Sequence, residues 1–174
     1  SGLLGLLYAR HAPHRVKSLT LLSVGADPAV DWQAHYYTQA QLLPCSRDIL
    51  LAQMVHTLWG WQSPPTRQAL IKRLDRDLLT ALSPHTLLRQ ASIPPEGAPV
   101  PLLVCAGGED LVISPSLFDG WQPHLKPGDR QWLCPQGRYF FHQAHAEQTA
   151  QRIQAFWHSL PDCSVPSSLS RTSV

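Results

Sequence analysis

The amino-acid sequence predicts an α/β fold: a parallel sheet with flanking helices, interrupted by an inserted helical block. Three observations predict it. Two strand-length runs, Val16 to Val24 (VKSLTLLSV) and Pro99 to Ala106 (PVPLLVCA), are largely apolar, as strands buried on both faces of a parallel sheet must be. The first run follows directly on a leucine-rich helical segment, and helix followed by buried strand is the alternation that builds such sheets. Between the two runs the pattern changes, with apolar residues recurring at spacings of three and four, the period of helices.

Taken in order, Gly2 to His11 carries leucines at 3, 4, 6 and 7 and reads as a buried helix that Pro13 ends. After the first strand the spacing predicts helices over Trp32 to Leu43, Ser46 to Trp59, Pro65 to Leu82 and Pro84 to Ser92. Ser46 ahead of Asp48, and Ser63 ahead of Pro64-Pro65, supply capping and first-turn residues. Ile93 to Pro99, with three prolines and a glycine, is a rigid spacer into the second strand. Gly107-Gly108-Glu109-Asp110 then forms a turn. Leu117 to His124 reads as a short helix, Gln131 to Cys134 as a third strand, and Gly137 to His142 as a loop. Ala144 to Leu160 closes the pattern as a helix with Ile153, Phe156, Trp157 and Leu160 on one face. The chain therefore divides into sheet core (1–25), helical insertion (26–95) and C-terminal core (96–160), with a Ser- and Pro-rich tail (161–174) expected to be disordered.

Composition narrows the function classes. Formal net charge is +2, from 14 basic and 12 acidic residues scattered without runs, so there is no electrostatic footprint for nucleic acid. No apolar run approaches the ~20 residues a membrane span needs, and no membrane association is expected. Charged residues make up 15% of the chain against about 25% in a typical domain, so much of the apolar content is expected to be buried or to line a pocket. Cys45, Cys105, Cys134 and Cys163 are widely spaced, with no C-x-x-C. They read as reduced thiols of a cytoplasmic protein. The chain begins with Ser1 and its only methionine is Met54, so a piece of a longer protein is expected.

In open α/β sheets, ligands and reacting groups gather at the carboxyl ends of strands. Gly-Gly-Glu-Asp follows the strand ending at Ala106, and Gly-Arg-Tyr-Phe-Phe-His follows the strand ending at Cys134. A carboxylate and an imidazole thus stand at neighbouring strand ends, which is the acid-and-base half of a nucleophilic triad. Asp110 and Glu109 are the two candidate acids of that turn. His142 is the candidate base, and His145, one helical turn on, the weaker one. His142 and His145 also form an H-x-x-H pair, but no third ligand motif accompanies it, so neither metal nor organic cofactor is expected.

Several segments jointly resemble the α/β-hydrolase family. GLLGLLYARHAPHRVKSLTLLSV is similar to the helix, corner and strand that follow that family's nucleophile elbow; PLLVCAGGEDLVIS resembles its acid strand and turn; GRYFFHQAHAEQTAQRIQAFW resembles its histidine loop and closing helix. The resemblance implies that the chain is the C-terminal part of that fold, with residues 26–95 as a helical lid. It implies that Asp110 orients the histidine, and it ranks Glu109 second. The family places that histidine directly after a glycine, whereas Gly137 is followed here by Arg138 and Tyr139. Either a longer loop brings His142 to the site or the usual position has been replaced. Ser1 does not fit the elbow, because residue 3 is Leu where a glycine is needed. The nucleophile is therefore expected ahead of this chain.

The resemblance implies hydrolysis of an ester, amide or similar bond of a small apolar substrate. Trp32, Tyr36, Tyr37, Trp59 and Trp61, with Leu42, Leu43 and Met54, are the residues expected either to shape the apolar site or to pack the lid, while His35 and His56 are expected partly exposed. A non-catalytic member of the fold that binds a ligand or protein, or an inactive truncated remnant, is the alternative. The first strand should also lack one neighbour, leaving an edge for a complementary N-terminal segment or a second copy to cover.

Overall fold

The computed structural model describes residues 2–27, 30–80 and 94–161. Its elements are α1 (Gly2–His11), β1 (Leu19–Leu22), α2 (Trp32–Leu42), α3 (Arg47–Trp59), α4 (Pro64–Thr80), β2 (Leu102–Gly107), α5 (Pro115–Asp119), β3 (Arg130–Cys134), α6 (Phe141–Ala144) and α7 (Ala146–His158), with single 3-10 turns at Pro13–Arg15 and Gln122–His124. The strands form one parallel sheet in the order β1-β2-β3. Leu21 stands opposite Val104, and Cys105 opposite Trp132. The expected α/β architecture, a parallel sheet with helices inserted between its strands, is what the chain adopts.

β2 is buried at every position, and its alternation assigns each side chain to one of two cores. Leu102, Val104 and Ala106 join a core that holds Leu6 and Ala9 of α1, Met54 and Leu58 of α3, and Leu74 of α4. Leu103 and Cys105 join a smaller one with Cys134, Phe141 and Phe156 of α7. The helical insertion therefore shares its core with one face of the sheet. Trp121, fully buried, donates its indole N–H to the Val24 carbonyl just beyond β1 at 2.8 Å. Cys105 and Cys134 behave as core thiols; burial pushes Cys105 up to about 12.

Several element boundaries differ from the sequence reading, each for a local reason. β1 is four residues long because the chain is still turning at Pro13–Arg15 and because Ser23 leaves the strand with φ 50°. β2 starts at Leu102 rather than Pro99, since Pro99 and Pro101 have no N–H to give a neighbouring strand. β3 begins at Arg130, one residue early. The short helix sits at Pro115–Asp119, where Ser114 caps the Leu117 N–H at 3.4 Å, and not over Leu117 to His124. The closing helix is broken at His145, and Phe141 opens α6 inside the segment read as loop. Trp157 is 55% exposed and does not share the buried face of Ile153, Phe156 and Leu160. Caps at Asp31 and Ser46 fix the starts of α2 and α3 as their residue types require. The helix read over Pro84 to Ser92 and nearly all of the expected tail lie outside the described residues. Among the described residues no helix is long and apolar enough to cross a membrane.

The turn after β2 and the loop after β3 meet backbone to backbone. Gly108 N donates to Cys134 O at 2.7 Å and Glu109 N to Gly137 O at 2.8 Å. A Cβ on Gly107 would lie 2.2 Å from Gly137 O, and one on Gly108 2.6 Å from Pro135 O. Only glycine permits this approach. Gly107→Ala should cost about 1–3 kcal/mol, the usual penalty of overpacking, and urea unfolding of the variant beside the wild type measures it; equal midpoints would contradict the packing described.

Candidate active site

Asp110 follows the glycine pair and is 2% exposed. Its Oδ1 accepts from the Val112 N–H at 2.8 Å and the Ile113 N–H at 3.0 Å, so the turn holds the carboxylate from behind. Oδ2 is buried and has no partner. Burial raises the carboxyl pKa from 3.8 to about 6, against the opposing pull of the Ile113 and Val112 amides and the Ser23 hydroxyl. A buried acceptor oxygen without a donor is costly, and such groups cluster where chemistry is done.

Ser23, buried at the carboxyl end of β1, donates its hydroxyl to the Tyr139 carbonyl at 2.6 Å. Its φ of 50° places a non-glycine residue in the left-handed region, a strained conformation found most often at functional sites. Tyr139 packs against the core that holds Leu102, Val104 and Ala106. Burial of its hydroxyl raises the pKa, helped by the negative charges of Asp31 and Asp110.

His142 is the second residue of α6 and half-buried. Its ring sits edge-on to Phe140 and Phe141, with centroids 5.9 and 5.8 Å away. Nδ1 is buried and has no hydrogen-bond partner, and desolvation lowers the imidazole pKa. The structure thus brings the acid turn and the histidine loop together through their backbones. The Asp110 Oδ2 and the His142 Nδ1 that would join in a triad are both buried and both unpartnered.

The other candidates fall elsewhere. Glu109 is exposed and lies 3.8 Å from Arg138, a contact of little energetic weight. His145 stands at the break between α6 and α7, with no side-chain cap bond. Ser1 lies outside the described residues. Among the described residues no three His, Cys, Asp or Glu side chains gather as a metal site. Of the insertion's apolar residues, Tyr36 and Met54 are buried in the core. Leu42, Leu43 and Trp61 are 74%, 46% and 81% exposed and do not pack the insertion's core, though Trp61 lines a groove at the end of α3. His35 is half-buried and His56 exposed.

A groove of about 430 Å³ runs between the end of α3 and the histidine loop, lined in part by Trp59, Gly60, Arg138, Phe140 and His145. Among the described residues that line it, neither Asp110 nor His142 is found. Ser23 and Tyr139 stand beside Asp110 and were not singled out by the sequence reading, which had named Trp59 only for the apolar site or the insertion's packing. The signal for Ser23 was present, a serine two before a glycine at the end of a buried strand; nothing local marked Tyr139.

No protein-family model matches the chain. It is 52% identical over 170 residues to "Uncharacterized protein sll0249" of Synechocystis sp., covering 98% of this chain and 68% of that protein. It is 38% identical over 156 residues to "Uncharacterized protein alr2406" of Nostoc sp., covering 90% of this chain and 62% of the relative. Among solved structures it resembles a naproxen esterase from Bacillus subtilis, with a TM-score of 0.63 at 16% identity over 90% of this chain and 56% of that one. A putative hydrolase from Bacillus subtilis gives 0.65 at 16% identity over 90% and 57%, and a hydrolase from Pseudomonas aeruginosa 0.56 at 19% over 90% and 61%. These likenesses show the α/β-hydrolase fold. The chain spans about two thirds of the curated relatives and somewhat less of the solved hydrolases.

Asp110 also predicts a pH signature. Its folded-state carboxyl keeps the proton to higher pH than an unfolded aspartate does, so its stabilising contribution is complete below about pH 4 and falls as pH rises to about 6. Two pKa units correspond to about 3 kcal/mol. From pH 4 to pH 7 the unfolding free energy of Asp110→Asn should therefore gain on the wild type by about that amount; parallel urea-unfolding profiles would contradict the burial.

Proposed function

The chain belongs to the protein family that includes sll0249 of Synechocystis sp., and on the α/β-hydrolase fold that it carries we propose a hydrolase that cuts an ester, amide or similar bond of a small apolar substrate. The observation that carries this reading is the buried Asp110 with its free Oδ2 at the carboxyl end of β2, two backbone hydrogen bonds from the loop that bears His142.

In the proposed reaction the Asp110 carboxylate accepts a hydrogen bond from the Nδ1–H of His142, which fixes the imidazole's tautomer and stabilises the imidazolium when it forms. Two observations support that pairing: Oδ2 and Nδ1 each lack a partner, and desolvation favours the neutral imidazole that a base must be. Nε2 takes the proton of a nucleophilic hydroxyl of the full-length protein as that oxygen bonds to the substrate carbonyl. The same proton then goes to the leaving group as the carbonyl–leaving-group bond breaks, giving an acyl-enzyme that water hydrolyses. Closing the pair requires the imidazole to present Nδ1 to Oδ2, a hydrogen bond that neither atom makes here.

A second reading, a non-catalytic member that binds an apolar ligand, draws on Arg138, which stands directly after Gly137 where the resemblance implies a histidine. A fluorophosphonate probe separates the two. The full-length gene product should be labelled and should hydrolyse a short-chain nitrophenyl ester, with Asp110→Asn and His142→Gln lowering turnover by roughly 10³-fold or more. Unlabelled, inactive protein that still binds an apolar fluorophore would establish the binder instead.

A further inference from the structure

The loop that carries His142 is held on both flanks of that residue by one helix of the insertion. Trp59, the last residue of α3, stacks on Phe140 with centroids 4.3 Å apart and planes 24° from parallel. Its indole N–H donates to Gln143 Oε1 at 2.9 Å. The residues immediately before Phe141 and immediately after His142 therefore grip the same indole. Phe140 N donates to Leu58 O at 3.3 Å, and the Arg138 guanidinium donates to His56 O at 3.3 Å, a carbonyl at the helix's C-terminal end. Gly60 makes room for Arg138: with φ 78°, a Cβ there would stand 3.0 Å from Arg138 Nε. On the opposite side Phe141, 1% exposed, is fixed in the core beneath α7.

We propose that the C-terminal turn of α3 sets the position of the His142 imidazole, with Trp59, Gln143 and Arg138 as positioning residues that act through the loop. The chemistry behind this is rigid support of a reacting group: a side chain on a four-residue helix has little stiffness of its own, and contacts on both flanks supply it. Arg138, a departure from the family's pattern, thereby acquires a role in tying the histidine loop to the end of α3. An occupant beneath the insertion that shifted α3 would move the imidazole with it. The catalytic consequence rests on the hydrolase reading above, but the positioning itself does not.

The test uses the full-length gene product, labelled at histidine with ¹⁵N. The imidazole resonances of His142, assigned from their loss in His142→Gln, are followed in Trp59→Phe, Gln143→Leu and the double variant. Gln143 is exposed, so Gln143→Leu leaves the fold intact, which circular dichroism checks. Both single variants should shift the His142 signals, and the double variant no further than either, as two ends of one hydrogen bond. With ester substrate kcat should fall about 10- to 100-fold, as small misplacements of a reacting group do, with KM little changed. His142 resonances unmoved in folded Gln143→Leu would overturn the inference. If those resonances move but the wild type refuses the fluorophosphonate, the hydrolase reading fails and the positioning stands.

Discussion

The architecture of the site depends on one close contact, the approach of the Gly107-Gly108 backbone to residues 135–137. At 2.2 Å from a virtual Cβ to a carbonyl oxygen there is space for hydrogen alone, and the two amide bonds made there join the end of β2 to the end of β3. Sheet pairing ends at Cys134, yet this contact carries the adjacency beyond the sheet to where the chain leaves it. It places an acid and an imidazole loop at one rim, a result that the strand register alone does not deliver.

Two buried polar groups without partners are tolerated at that rim, and their cost is offset by the packing around them. The Asp110 turn is anchored by amides on Oδ1, the β1 end by Trp121, and the histidine loop by Phe141 below and Trp59 above. The helical insertion is therefore more than a cover. Because its buried residues belong to the same core as β2, a change in the set of α3 reaches the loop through contacts that are already made.

Much of this was legible in the sequence because burial leaves a strong imprint. Leu102 to Ala106 is apolar at every position since both faces of β2 are covered, while Asp110 was set ahead of Glu109 by the family resemblance and not by any local pattern. Boundaries were less legible: Pro101 and the left-handed Ser23 shorten strands whose apolar pattern runs on. Trp157 and Leu42 show the limit of periodicity, since an apolar side chain at the right spacing still faces water when no element lies opposite it. The Trp59–Gln143 bond joins residues far apart in the chain, and no local pattern announces such a pairing.

The account stands or falls on Asp110 and His142 working as a pair. The most direct measurement is a crystal structure of the full-length protein after exposure to a fluorophosphonate. The account requires a covalent adduct, with the imidazole turned so that Nδ1 donates to Asp110 Oδ2 at about 2.7–2.9 Å, the length of a charge-assisted hydrogen bond. An unreacted protein, or an adduct with Nδ1 and Oδ2 still unpaired, would contradict it.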